Sequence, residues 1–298
     1  MNLSGRGIFL SVIASALFAV FPGYVLLLAP LDGMQIFAQR VVWSIPAVLL
    51  LVVLSGQSAV LLKSLQRLRR EPLLALALPV AAALVGVQWA LFMWAPLSGK
   101  VLDMSLGYFL LPLVMVLTGR LFYGERLRPL QALAVACALL GVAHELWLTR
   151  AFSWVTLVPA LGYPPYFMLR RWMQMNAFSG FTFEVLLMLP LAIWLIASFG
   201  LADVYTRAPQ LWWLLPGLGV LSALAFGAYM AASRLLPMGL FGILSYLEPM
   251  LLFAVAVLFL GERFDLAQLW TYLPIWLAVI LIGIDSGRML HKQSRRLL

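Results

Sequence analysis

The chain reads as a series of long apolar runs separated by short polar punctuation. Stretches of about 20 apolar residues, enough to cross a bilayer core of roughly 30 Å as a helix, fall at 7–29, 34–54, 73–95, 101–122, 129–148, 152–169, 181–200, 210–233, 239–260 and 266–284. These runs are continuously apolar and lack the alternation of barrel strands with a polar lumen. The pattern predicts an all-α polytopic membrane protein with ten transmembrane helices. Only Arg6 precedes the first run, and no small-residue cleavage pattern appears before Pro30, so that run reads as a retained helix rather than a secretory signal. One connection is different in kind. In "SGQSAVLLKSLQRLRREP", Leu61, Leu62, Leu65 and Leu68 alternate with basic residues at helical spacing, which predicts a helix lying in the interface and anchoring the topology.

The apolar pattern also repeats. "LGYFLLPLVMVLTGRLFYGERLRPLQ" and "LSYLEPMLLFAVAVLFLGERFDLAQL" match in register, pairing Pro112 with Pro249, Gly124 with Gly261, Glu125 with Glu262, Arg126 with Arg263 and Gln131 with Gln268. The offset is constant, 249−112 = 261−124 = 268−131 = 137, and it holds upstream to Pro79 and Pro216. Earlier spans align only with a changed offset, because the joining loops differ in length. Residues 1–148 and 149–285 are therefore expected to be two five-helix repeats, followed by a basic tail over 286–298. An odd number of spans per repeat makes the two enter the membrane from opposite sides, as in secondary transporters with a site near the midplane.

Composition supports a lipid solvent. Of 298 residues, 64% are hydrophobic and 10% charged, whereas a soluble domain carries about 25% charged residues. The net charge of +9 does not point to nucleic acid, because its distribution is one-sided. Four of the 20 Lys and Arg residues (Lys100, Arg150, Arg207, Arg263) fall on one side of the expected topology, Arg40 lies within a span, and the remaining fifteen lie on the side of the N-terminus. By the positive-inside rule both termini are cytoplasmic, and the chain is expected as a multi-pass protein of a bacterial inner membrane whose basic residues meet anionic headgroups. Cys137 is a lone mid-span residue, read as a small buried hydrophobe. No Walker-type phosphate loop occurs, so nothing points to ATP hydrolysis, and no cofactor or metal site is expected.

At its repeated GER segments the chain resembles the EamA family of the drug/metabolite transporter superfamily. Within it, "QRVVWS" (39–44), "QWALFMWA" (88–95), "SLGYFLLPL" (105–113), "PPYFMLRR" and "FTFEVLLMLP" resemble the RarD branch, over about residues 5–285. The chain departs from that branch at Ser245 and Glu248 of "LSYLEPM", and in lacking a proline near Ala223. The resemblance implies ten helices around a central cavity and passage of small metabolites without ATP.

Candidate site residues follow from the cost of placing an ionisable group in a spanning helix, about 2.5–3.5 kcal/mol on insertion scales. Arg40 lies roughly 9 Å into the second span and Glu248 roughly 13 Å into the ninth at 1.5 Å per residue. The two are expected to line one polar cavity, Arg40 facing a carboxylate or other electron-rich group and Glu248 an amine or a proton. Trp43, Gln88, Trp89, Ser105, Tyr108, Tyr166 and Ser245 are expected beside them, the aromatic rings serving a cationic or conjugated solute. Proton coupling or gating is assigned to Glu184, Glu248 and Asp103, with Pro112 and Pro249 as hinges. Asp103 and Glu145 are placed at hydrated outer helix ends, His144 at the interface, and Asp285 in solvent at the end of the tenth span. Gly219, Ala223, Gly227 and Ala231 form a small-residue face for close packing, and the GER turns are expected to cap the fifth and tenth spans.

The expected function is a secondary transporter, an exporter of small amphipathic or zwitterionic metabolites or drugs, acting as a monomer among membrane lipids. An exporter dedicated to one amino-acid-derived metabolite, such as an opine-type metallophore, is the alternative. An intramembrane enzyme is the remote one, since two histidines and no paired acidic motif offer little for catalysis.

Overall fold

In a computed structural model the described residues are 4–98, 100–149, 153–199, 208–251 and 269–294. Their helices are α1 (Gly5–Leu26), α2 (Gly33–Leu54), α3 (Ser58–Arg70), α4 (Pro72–Leu97), α5 (Val101–Tyr123), α6 (Pro129–Thr149), α7 (Trp154–Met173), α8 (Ala177–Phe199), α9 (Leu211–Leu235), α10 (Met238–Leu244) and α11 (Leu269–Ser294). Eight of these are long and apolar enough to cross a membrane. Of the other two expected spans, α7 has the length but carries Arg170 and Arg171 in its last turn. The ninth opens with α10, breaks at Ser245 and Tyr246, and is helical again over 247–251; its remainder lies outside the described residues. The protein is an all-α polytopic membrane protein.

The helices gather into two compact units. The first is drawn from Met1–Val20, Leu102–Pro164 and Ala231–Leu298, the second from Phe21–Val101 and Pro165–Met230. Neither unit is a continuous half of the sequence, since each takes helices from both sides of residue 149. Within the first unit the broadest interface joins α6 to α11, and within the second it joins α2 to α8. These are the spans that the repeat makes equivalent, the fifth with the tenth and the second with the seventh.

Equivalence extends to local chemistry. Asp32 Oδ1 accepts from Met34 N and Gln35 N at 2.8 and 2.9 Å to start α2, and Asn176 Oδ1 accepts from Phe178 N and Ser179 N at 3.0 and 3.4 Å to start α8. An N-cap oxygen satisfies backbone donors that have no partner inside the helix. The cap offset is 176−32 = 144, and the prolines inside the two helices keep it, 190−46 = 144. The offset falls to 137 by the third and eighth spans because the first repeat has seven more residues there, where α3 lies.

The small-residue face of α9 behaves as expected. A Cβ on Gly219 would strike the Trp43 carbonyl, one on Gly227 would meet the Phe178 ring, and Ala223 is fully buried.

Three expectations are corrected. Glu125 does not cap the fifth span. Gly124, at φ +61°, turns the chain back, and Glu125 accepts from Met238 N and Gly239 N at 2.8 Å each, capping α10 with a full carboxylate charge. The second GER segment, with Gly261, Glu262, Arg263 and Gln268, lies outside the described residues. Asp285 is buried rather than solvated, because α11 runs on to Ser294 and keeps Asp285 inside the helix, against α6. There Arg128 Nη2 and Gln131 Nε2 meet its Oδ2 at 2.9 and 3.1 Å. Asp103, expected at a hydrated end, is only 9% exposed, since the Asp103 carbonyl accepts from Thr156 Oγ1 at 2.8 Å and draws α7 over it.

Candidate functional site

The second unit buries a polar and aromatic cluster among its spans. On α2, Ser44 Oγ donates to the Arg40 carbonyl one turn earlier at 2.6 Å. The Arg40 side chain is 2% exposed. Its Nε donates to Ser222 Oγ of α9 at 3.0 Å, and its guanidinium carbon lies 3.9 Å from the Trp89 ring centroid and 4.6 Å from that of Phe21. A desolvated cation over an aromatic face is held by about 2 kcal/mol. Trp89, on α4, continues the stack. Its ring meets Phe181 at 5.8 Å and Phe226 at 5.3 Å, and Phe226 meets Tyr166 at 6.3 Å. Gln88 is buried beside Trp89, and Trp43 is half-buried next to Arg40 on α2.

A second charge occupies the matching position on α8. Glu184 relates to Arg40 by 184−40 = 144, the offset of the N-caps. It is fully buried. Tyr166 donates to its Oε2 at 3.0 Å and also contacts Met230 Sδ at 3.2 Å. Arg170 Nη1 faces Glu184 Oε1 at 3.5 Å, while Arg170 Nη2 donates to the Ala177 carbonyl at 3.2 Å. Neither Arg170 Nη1 nor Glu184 Oε1 completes a hydrogen bond among the described residues, although both are out of water. A buried pair in that geometry recovers less than it loses in desolvation. The guanidinium reaches this place only because residue 180 is glycine; a Cβ there would run into it.

The first unit holds the other candidates. Tyr108 and Tyr163 rings lie 6.2 Å apart, with Ser105 half-buried one turn before Tyr108. Pro112 sits inside α5. The broken helix brings Ser245, Glu248 and Pro249 together. Pro249 has no N–H for the Ser245 carbonyl, which accepts from Glu248 N at 3.2 Å instead. Ser245 Oγ donates to the Phe241 carbonyl at 3.0 Å. Tyr246 reaches from the break to donate to the Phe109 carbonyl at 2.9 Å. Glu248 is half-buried. Irregular backbone at membrane depth is tolerated where protein covers it or where it lines a cavity. Elsewhere in this unit Thr271 Oγ1 donates to Glu145 Oε2 and contacts His144 Nδ1, each at 2.9 Å.

The structure thus gathers Arg40, Trp43, Gln88, Trp89, Tyr166 and Glu184 in one unit and Asp103, Ser105, Tyr108, Pro112, Ser245, Glu248 and Pro249 in the other. Ser222, Phe226, Arg170 and Tyr246 were not among the expected site residues. Two of them carried a legible signal, since 226−89 and 246−109 both equal 137, so repeat-equivalent residues meet each other. Ser222 carried none. Among the described residues no group of three His, Cys, Asp or Glu side chains is placed to hold a metal.

No protein-family model matches the chain. Curated relatives match it nearly end to end. It is 64% identical to the chloramphenicol-sensitive protein RarD of Pseudomonas aeruginosa, over 99% of both chains. It is 38% identical to an uncharacterized transporter of Haemophilus influenzae, over 97% of this chain and 96% of that one. To the RarD protein of Salmonella typhimurium it is 32% identical, over 94% and 95%. One solved crystal structure shares the fold at a TM-score of 0.71 and 17% identity, across 95% of this chain and 98% of the other. With full-length identity of this order to proteins of that name, the chain belongs to the RarD family of membrane transporters.

Proposed function

We propose that the protein is a secondary exporter of small amphipathic or zwitterionic molecules, working by alternating access without ATP from a bacterial inner membrane, with both termini in the cytoplasm. The observation that carries this reading is the pair of buried charges at matching positions on α2 and α8. Arg40 and Glu184 sit in two spanning helices that pack on each other, joined through the rings of Trp89, Phe226 and Tyr166. Intramembrane charges are costly and are kept where a solute or proton passes. A guanidinium suits a carboxylate or nitro group, a carboxylate suits an amine, and the rings between them suit a planar body. The name of the Pseudomonas aeruginosa relative refers to chloramphenicol, an aromatic amphiphile of this kind. An amino-acid-derived metabolite meets the same two charges and is the second reading.

Coupling to protons falls to Glu184, and Glu248 is its counterpart in the first unit. A proton on Glu184 removes the countercharge of Arg170 and leaves a lone buried cation, at a desolvation cost. That cost is relieved only if the end of α7 opens to water. Protonation and opening are then the same event, which is what an antiporter requires.

The test is uptake of labelled chloramphenicol and of labelled aromatic amino acids into inside-out proteoliposomes under an imposed pH gradient. Saturable, gradient-driven uptake is expected of the wild type, a loss of at least tenfold of Arg40→Ala, and uptake that no longer answers the gradient of Glu184→Gln. Undiminished transport by both variants would refute the site.

A further inference from the structure

The geometry points to a bound anionic phospholipid, its headgroup on α3 and one acyl chain in the groove beneath that helix. The groove lies wholly within the second unit. Leu68 of α3, Ala75 and Leu78 of α4, and Phe183 and Leu186 of α8 line it. Leu78 and Phe183 are 2% and 9% exposed, whereas Leu186 is 41% exposed. This is an apolar slot open along one side.

α3 supplies the other half of the chemistry. It is 13 residues long and has no buried residue. Helices of that length are marginal on their own; α3 touches α2, α4 and α8, yet Leu62 stays 60% exposed, so part of its apolar face is left for lipid. Arg67 fixes it in place: Nε and Nη2 grip both oxygens of Glu71 at 2.8 and 3.1 Å, and Nη1 donates to the Met173 carbonyl at 2.8 Å. Lys63, Arg69 and Arg70 remain exposed along the same helix. A cationic ledge on the helix that borders an apolar slot calls for one molecule with a negative head and a long apolar tail. A zwitterionic lipid meets the slot without the ledge, and an acidic protein segment meets the ledge without the slot. Phe183 adjoins Glu184 on α8, so the lipid chain would bear on the helix that carries the buried carboxylate.

Spin-labelled phosphatidylglycerol and phosphatidylcholine, each introduced into phosphatidylcholine vesicles holding the full-length protein, provide the test. The motionally restricted fraction is the readout. Phosphatidylglycerol is expected to be preferred, and the double variant Arg69→Gln/Arg70→Gln to lower that preference by about fivefold for each arginine, the equivalent of about 1 kcal/mol per basic residue at an anionic surface. Ala75→Trp fills the slot from its lipid side with the arginines intact, and it is expected to release the restricted chain. Equal restriction of both lipids, or a preference that survives loss of the arginines, would overturn the proposal. A preference lost with the arginines but unmoved by Ala75→Trp would show headgroup attraction alone and overturn it as well.

Discussion

At the scale of the residue, the exceptional contact is the one that stops short. Arg170 Nη1 and Glu184 Oε1 stand 3.5 Å apart, beyond a charge-assisted hydrogen bond of about 2.7–2.9 Å. Removing one member strands the other, whereas removing both removes the problem. Glu184→Leu or Arg170→Met alone is expected to destabilise the detergent-solubilised protein by about 3–5 kcal/mol, and the pair Arg170→Met/Glu184→Leu by far less. Thermal unfolding of the four proteins as a double-mutant cycle checks this, and additive losses would count against it. Gly180→Ala reaches the same place from the backbone side. Its methyl group would displace the guanidinium, with an expected cost of about 1–3 kcal/mol. Glu184 was legible in the sequence as a carboxylate inside an apolar run. Its partners were less so, because Tyr166 and Arg170 lie 18 and 14 residues away and are gathered by packing rather than spacing.

At the scale of the element, helix ends rather than helix interiors were hard to read. Apolar run length gave the first eight spans to within a few residues, since the lipid core imposes a length that sequence states directly, whereas the tenth was expected to end at 284 and α11 runs on to Ser294. Caps are tertiary events. Glu125 looked like a residue of its own turn, yet it serves α10 from 113 residues away. Glu125→Ala leaves the Met238 and Gly239 N–H groups unpaired, with an expected loss of about 1–2 kcal/mol. Glu125→Gln, with one acceptor oxygen for two donors, is expected to fall between, and unfolding midpoints for the three proteins decide it. The break at Ser245 and Tyr246 was also missed. Pro249 predicted a kink, but the Tyr246 hydroxyl on the Phe109 carbonyl depends on which helix lies opposite. At the end of α3, the hydrogen bond from Arg67 holds the Glu71 carboxyl below its usual 4.5. A depressed folded-state value means that the pair's contribution is present at neutral pH and is lost as pH falls through that value. The pair is exposed, so solvent screens it.

At the scale of the molecule, the internal repeat is read from proline and glycine spacing at a constant offset. Its physical expression was only half visible. The 137-residue offset was plain, whereas the 144-residue offset of α2 and α8 emerged from their caps and prolines, hidden in the sequence by the extra residues around α3. If the two repeats enter the membrane from opposite sides, cysteines introduced at Arg126 and Arg263 react with a membrane-impermeant maleimide from opposite faces. Labelling of both from one face would refute it.

The interleaving of the two units has a consequence for how such a chain arose. Neither the polypeptide before Trp154 nor the one after it holds a complete unit, for each carries only part of both. A free-standing half would therefore need the other half before either unit is complete. Severing the connection between α6 and α7 should leave two fragments that recover their fold only when made together in the same cell.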